Sequence, residues 1–352
     1  MKRTHWIKLG VAIALLALLF WHVDLEQFPA MLRGADPLFL GLCLLFSLLM
    51  VAASCWKWWL ILRLQQCPIP FLRLYRWYFI GYFYSNFLPS NIGGDVVRAW
   101  YVRAHAKSGS VGIISVFTER FSGIVVLLLL AASLPFWLQG PWRMPTVWPI
   151  SLLALALCLV LLAVVLWGGD LARTSLAKAT VTQLRRILRA DSPTSPGHRF
   201  WQRTADRLNR LHAQGRDLTV AFQQSPRAIF HVLALTLLFY GLTIINVALA
   251  YRAFGIWPPI GATASVLPTA LLVGMVPVSL GNLGVAEGAY VYYFGLVGMA
   301  SELTLMVGLF LRFKMLTLGL IGCLVQLGCP APQEDHERIN ATESTPTDAG
   351  SP

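Results

Sequence analysis

Six charged residues stand in apolar surroundings: Asp95, Arg98, Glu119, Arg120, Glu287 and Arg312. Glu119 and Arg120 lie about a third of the way into the apolar run from Val111 to Leu138. An unpaired charge at that depth costs at least about 2.5 to 3.5 kcal/mol. Arginine there has two chemical uses: it draws in a phosphate or carboxylate, or it pairs with an acid and locks two helices together. Adjacent positions on a helix point about 100° apart, so Glu119 and Arg120 need different partners. The spacing has Arg120 face a cavity while Glu119 braces a neighbouring element. Glu287 and Arg312 either balance one another or leave the carboxylate free to carry a proton. Glu302 fits the outer interface, and Lys314 fits a side chain that snorkels toward water.

Two glycine-rich strings accompany these charges. The first is Leu88-Pro89-Ser90-Asn91-Ile92-Gly93-Gly94-Asp95, with Arg98 one turn on. The second is Pro277-Val278-Ser279-Leu280-Gly281-Asn282-Leu283-Gly284. Gly93 and Gly94 allow positive φ and close backbone approach, and Asp95 suits the cap of a helix starting at Val96. One reading is a broken helix with a capped restart. The other is a cradle in which freed amides and Arg98 hold a lipid phosphate, with Gly281 and Gly284 doing the same in the second string. Asp95 disfavours an anion on the cap itself and is placed to pair with Arg98.

Other chemistries find little support. Cys43, Cys55, Cys67, Cys158, Cys323 and Cys329 are far apart, with no Cys-x-x-Cys pair, and the seven histidines are equally scattered. The sequence therefore implies no metal, no cofactor and no catalytic residue, and there is no nucleotide-binding loop.

The elements that must position these residues follow from composition. The chain has 352 residues, 57% hydrophobic and 12% charged, against roughly 25% charged in soluble domains. Its apolar residues fall in long runs: Ile7 to Val23, Leu38 to Leu62, Val111 to Leu138, Trp148 to Trp167, Ala228 to Ala250 and Glu302 to Gly328. Each can cross a hydrocarbon core of about 30 Å at about 1.5 Å per residue. The first run lacks a small-x-small cleavage site and reads as a retained span. Trp77 to Leu88 is too short to cross, and Thr263 to Met299 is broken in its middle by the second glycine string. Both read as re-entrant hairpins, which implies an interior site, because non-helical backbone at membrane depth needs protein or water to satisfy it.

Twenty-one Lys or Arg fall on one side of these runs and three (Arg33, Arg143, Arg252) on the other. That bias places both termini in the cytoplasm. The hairpins then enter from opposite faces. Pro89 and Gly93 precede Pro277 and Gly281 by a constant 188 positions, and Phe117-x-x-Arg120-Phe121 is similar to Leu309-x-x-Arg312-Phe313. The expected fold is an all-α polytopic membrane protein: six full transmembrane helices plus two re-entrant helical hairpins in an inverted repeat. Its transmembrane domain covers residues 1–328, including basic cytoplasmic amphipathic helices at 170–227, and a disordered polar tail covers 329–352.

Asn86 through Arg98, then Glu119-Arg120, then Pro277 through Gly281-Asn282-Leu283-Gly284-Val285-Ala286-Glu287-Gly288, together resemble the lysylphosphatidylglycerol synthase transmembrane-region family. The resemblance covers roughly residues 8–328. It implies a relative of the flippase half of bacterial enzymes that aminoacylate phosphatidylglycerol. Two positions depart from the family pattern. Asn282 stands where a second glycine is common, and Ala286 where an arginine beside the glutamate is common, which weakens the case for an anion contact from the second hairpin. Only Cys329 to Pro352 follows the last run, so no lysyl-transferring domain is expected here.

Residues and resemblance together lead to a lipid translocator in the bacterial cytoplasmic membrane, moving an anionic phospholipid or lipid-linked headgroup between leaflets. In this reading Arg98 and Arg120 attract the phosphate, and Gly93, Gly94, Gly281 and Gly284 let backbone approach it. Asp95, Glu119, Glu287 and Arg312 orient those groups or carry protons. The alternatives are a membrane-embedded transferase on a lipid or lipid-linked sugar, and an accessory to lipid-biosynthesis enzymes that moves nothing. No nucleic-acid partner is expected, since basic charge facing the cytoplasm follows from topology alone.

Overall fold

The computed structural model describes residues 33–87, 92–106, 108, 110–137, 149–160, 215, 218, 220–276 and 282–328. The first expected span, the string 88–91, most of 170–227, residues 277–281 and the tail from 329 lie outside them. The described elements are helices: α1 (Pro37–Leu64), α2 (Phe71–Phe87), α3 (Ile92–Arg103), α4 (Ser110–Trp137), α5 (Pro149–Val160), α6 (Pro226–Ala253), α7 (Ile260–Gly274), α8 (Val285–Gly295) and α9 (Ser301–Gly328). Among the described residues four helices, α1, α4, α6 and α9, are long and apolar enough to cross a membrane. They coincide with four of the six expected crossings. The fifth, Trp148 to Trp167, is described only through Val160.

Local sequence explains where these helices begin and what they bury. Asp36 caps α1 by accepting from the Leu38 amide at 2.9 Å, with Pro37 in the first helical position, where its missing N–H costs nothing. The Asp36 amide itself donates to the Ala253 carbonyl at 2.8 Å, tying the start of α1 to the end of α6. Along α1 the buried side chains Cys43, Ser47, Val51, Ser54, Trp58 and Ile61 recur every three or four residues, while Leu38, Leu45, Leu49 and Trp56 are exposed. The small and polar residues Cys43, Ser47 and Ser54 thus face protein together with Trp58 and Ile61, while Leu38, Leu45, Leu49 and Trp56 face what would be lipid. That is the reverse of a soluble helix and suits packing where apolar contrast gives no drive.

Between the long helices lie two pairs of short ones. Helices α2 and α3, of 17 and 12 residues, pack against each other, as do α7 and α8, of 15 and 11. The first of these helices starts at Phe71, six residues before the apolar run at Trp77, because Arg73 and Arg76 hide its opening turns from a hydropathy reading. The limbs α2 and α3 approach at glycines. A Cβ on Gly94 would overlap the Gly81 carbonyl oxygen, so a side chain there would force the pair apart. Gly274 meets Ala286 at the matching place in the second pair, at an ordinary 3.5 Å.

The packing partners come in matched sets. Helix α1 packs on α2 and α6 on α7; α3 packs on α4 and α8 on α9; α1 touches α4 and α6 touches α9. Two contacts cross between the halves, α2 on α9 and α7 on α4, and α1 meets α6 along the seam between them. One further contact, α6 on α4, has no counterpart of similar extent. Two main apolar clusters result. One gathers Trp58, Leu74, Trp77, Ile80 and Val102 around α2 and α3; the other gathers Val247, Tyr251, Leu267, Phe294 and Val307 around α7 and α8.

The crossing of α2 and α9 depends on absent side chains. A Cβ on Gly322 would overlap the Phe79 carbonyl oxygen, a backbone atom with nowhere to go. By contrast Gly41 has open space around it. Gly322→Ala is expected to lose about 1 to 3 kcal/mol, and Gly41→Ala to change stability little, in denaturant titrations of the purified protein. Equal stability of the two variants would contradict this packing.

Candidate functional site

The charged residues singled out in the sequence form two clusters. The larger brings Lys57 of α1, Asp95 and Arg98 of α3, and Glu119 and Arg120 of α4 around Tyr78 of α2. Arg98, fully buried, donates through Nη2 to Asp95 Oδ1 at 2.6 Å and to Glu119 Oε2 at 3.1 Å. Its guanidinium lies 4.2 Å from the Tyr78 ring centre and 5.0 Å from that of Trp58, within cation–π range. Its Nη1 has no hydrogen-bond partner among the described residues. Glu119 faces Lys57 Nζ at 3.6 Å and accepts from the Tyr78 hydroxyl at 3.5 Å. Arg120 grips Asp95 with two N–H groups, Nε to Oδ2 and Nη2 to Oδ1, both at 2.9 Å. The paired-fork geometry is the strong form of this contact.

Glu119 and Arg120 do point to different surroundings. Glu119 is buried against both limbs of the first hairpin, whereas the Arg120 side chain is 51% exposed. With three cations against two carboxylates, the cluster carries one surplus positive charge on its formal count.

Asp95 takes the second of its two expected parts, the pair with Arg98, and not the first, the cap. Helix α3 begins at Ile92, so Asp95 sits within its first turn and spends its carboxylate on Arg98 and Arg120 instead of capping at Val96. Gly93 and Gly94 are likewise helical, and neither is among the positive-φ glycines. The close approach that Gly94 permits is to Gly81 of the facing limb.

The second cluster is smaller. Glu287 lies in the first turn of α8, whose N-cap Gly284 has φ of 79°. The Gly284 amide donates to Glu287 Oε2 at 2.8 Å, so that amide is already occupied. Arg312 of α9 donates through Nε to Glu287 Oε1 at 2.5 Å and through Nη2 to the Asn282 carbonyl at 3.4 Å. Its side chain is 28% exposed and that of Glu287 is buried. Asn282 takes a left-handed φ of 56° and donates to the Gly274 carbonyl at 2.7 Å, tying the residues before α8 to the end of α7. A left-handed residue is what glycine or asparagine supplies most cheaply, which accounts for asparagine at this position. Gly281 lies outside the described residues.

The two clusters correspond residue by residue. In each, an acid in the first turn of a hairpin's second limb binds an arginine 25 residues later on the following long helix. Glu287 follows Asp95 by 192 positions, and Arg312 follows Arg120 by the same number. The offset of 188 at the glycine strings therefore shifts by four by the time the acids are reached. An offset of 188 would set Gly94 against Asn282 at the tip, whereas in space Gly94 matches Ala286 on the second limb.

Sequence reasoning missed two participants. The charge count assigns Lys57 to the cytoplasmic side, where it stands among Trp56, Trp58 and Trp59, yet it is buried against Glu119. Lys314 does not snorkel. It is the fourteenth of 28 residues in α9, about 20 Å from either end, too far for its side chain to reach water. Its Nζ donates to Asn246 Oδ1, and Asn246 Nδ2 donates to the Cys43 carbonyl at 2.6 Å, so the lysine is held in the α1–α6 seam. Outside the helices, Cys67 donates to the His105 carbonyl at 3.8 Å, and burial pushes its thiol up, away from reactive thiolate.

The sequence matches the family model described as lysylphosphatidylglycerol synthase TM region over residues 5–322. The chain belongs to this family. Two similar relatives are UPF0104 membrane proteins of Methanothermobacter thermautotrophicus. One is 22% identical over 317 residues, covering 86% of this chain and 89% of the relative. The other is 22% identical over 286 residues, covering 77% of each. A UPF0104 membrane protein of Pyrococcus horikoshii is 26% identical over 137 residues, 37% of this chain and 40% of its own length. No solved structure matches. The family is that of a transmembrane region, which agrees with the four long apolar helices.

Proposed function

We propose that this member of the lysylphosphatidylglycerol synthase transmembrane-region family is a lipid translocator of the bacterial cytoplasmic membrane, moving an anionic phospholipid or lipid-linked headgroup between leaflets. The observation that carries this reading is the first charged cluster, with its surplus positive charge and its half-exposed Arg120. A cation maintained among apolar helices at such cost has a use when an anion must pass. Arg120 presents the guanidinium to the headgroup phosphate, Arg98 and Glu119 hold the ground behind it, and Arg312 with Glu287 offers a second station. The architecture that goes with this reading has six full crossings, two re-entrant hairpins, an inverted repeat and both termini in the cytoplasm. Support comes from the matched helix pairs and from the charge bias of the loops.

The test is reconstitution of the purified protein into vesicles of bacterial polar lipids, with leaflet distribution and lipid masses followed together. A translocator redistributes an anionic lipid of unchanged mass. A change in lipid mass would instead identify a transferase, and unchanged leaflets and masses would favour an accessory protein.

A further inference from the structure

Each arginine that could receive a phosphate already holds a carboxylate, and each of those carboxylates has another donor behind it. Asp95 binds Arg120 with one fork and keeps Arg98 at 2.6 Å on its Oδ1. Glu287 binds Arg312 through Oε1 and keeps the Gly284 amide at 2.8 Å on its Oε2. In both cases the arginine is the more exposed partner, 51% against 19% in the first pair and 28% against 3% in the second. A bond locking helices for stability alone needs neither a standby donor nor an accessible cation.

We infer that Asp95–Arg120 and Glu287–Arg312 are two copies of one exchange latch, in which a phosphate oxyanion displaces the carboxylate from the arginine and thereby loosens that hairpin against its long helix. The inference rests on the translocator reading and adds how its site is opened. Exchange suits the low-dielectric surroundings because one anion replaces another on the guanidinium, so the arginine is never bare. The displaced carboxylate falls back on Arg98 or on the Gly284 amide and is not orphaned. Each acid lies on the second limb of its hairpin and each arginine on the next long helix, so breaking one pair loosens one hairpin only, the first staying tethered to α4 through Arg98–Glu119 at 3.1 Å. With hairpins entering from opposite faces, one latch answers to each leaflet. The ligand class is an oxyanion able to take a two-point grip on arginine, as a lipid phosphodiester or a free phosphate does.

Hydrogen–deuterium exchange of the full chain in phosphate-free maltoside micelles reads the latches directly. Short-chain phosphatidylglycerol, inorganic phosphate and chloride at matched ionic strength form three arms. The expected result is exchange about tenfold faster in 71–103 and 260–295 on adding an oxyanion, with chloride without effect, as when a charge-assisted pair leaves a local opening equilibrium. The arm that produces it distinguishes lipid from free phosphate. Glu287→Gln should speed exchange in 260–295 alone, and Asp95→Asn in 71–103 alone, each variant then losing the response to oxyanion in that hairpin. Unchanged or slower exchange with both oxyanions overturns the inference, as does a single variant that loosens both hairpins or neither. If the latches open but vesicles show no lipid redistribution, the translocator reading fails by itself. Redistribution with hairpins that stay shut removes the latch and leaves the translocator.

Discussion

Replacing Glu119 with leucine is expected to destabilise the protein severely. The carboxylate is buried between Lys57 and Arg98, two cations that are themselves buried. Removing it leaves Lys57 with no carboxylate among the described residues and sets two like charges facing each other in a dry interior. Breaking a buried pair in this way costs about 3 to 5 kcal/mol, a large share of the roughly 5 to 15 kcal/mol that holds a typical domain together. The yield of monodisperse protein from detergent and its denaturation midpoint should both fall sharply. Adding Lys57→Met should recover much of the loss, because Arg98 retains Asp95 at 2.6 Å and the second uncompensated charge is gone. A Glu119→Leu protein as stable as wild type, or no recovery in the double variant, would show that the cluster is not held as described.

Arg120→Ala has the opposite expected signature, a folded protein that does not work. Its side chain is half exposed, and when it is removed Asp95 keeps its bond to Arg98, so nothing buried loses its last partner. Stability should stay within about 1 kcal/mol of wild type. Movement of anionic lipid between leaflets should fall roughly ten- to a hundredfold, the worth of about 1.5 to 3 kcal/mol for a hydrogen bond to a charged group. Normal transport by a well-folded Arg120→Ala protein would exclude this arginine from the lipid path. Comparison with Glu119→Leu separates the two roles within one cluster: adjacent residues on one helix, one supporting the fold and the other facing its use.

The long helices are legible in the sequence because hydropathy acts over many residues. Expected runs such as Leu38 to Leu62 and Ala228 to Ala250 fall within the helices Pro37–Leu64 and Pro226–Ala253, which extend beyond them by less than a turn at each end. The pairing of charges is less legible. Arg120 and Arg312 stand out as cations inside apolar runs, and their 25-residue separation from Asp95 and Glu287 is plain once known. Matching the two halves at the glycine strings nevertheless gives an offset four residues short, since Gly93 and Gly94 lie inside α3 whereas Gly284 stands at the N-cap of α8. Lys57 and Lys314 escape such a reading for one physical reason. A hydropathy profile weighs a lysine by its neighbours along the chain, whereas Glu119 and Asn246, which decide the matter, come from helices 62 and 68 residues distant. Gly94 draws notice for conformational freedom, but it matters for the space it leaves to Gly81.

The contacts that cross between the halves also bear on how the chain is made. Helix α2 (Phe71–Phe87) emerges in synthesis well before its glycine-lined partner α9 (Ser301–Gly328). Asn86 donates to the Met315 carbonyl, 229 residues later, and the Phe79 backbone waits for Gly322. A ribosome adding about 5 to 20 residues per second would leave that face of α2 without its partner for on the order of ten seconds or more. During that interval the first half sits in the bilayer as an incomplete body, with Lys57, Asp95, Arg98, Glu119 and Arg120 already delivered to it. The charged cluster draws on α1, α2, α3 and α4, all from the first half, so its ion pairs can close before α9 arrives. The acids and bases of this cluster would then serve the nascent chain, neutralising one another while the second half is still being translated.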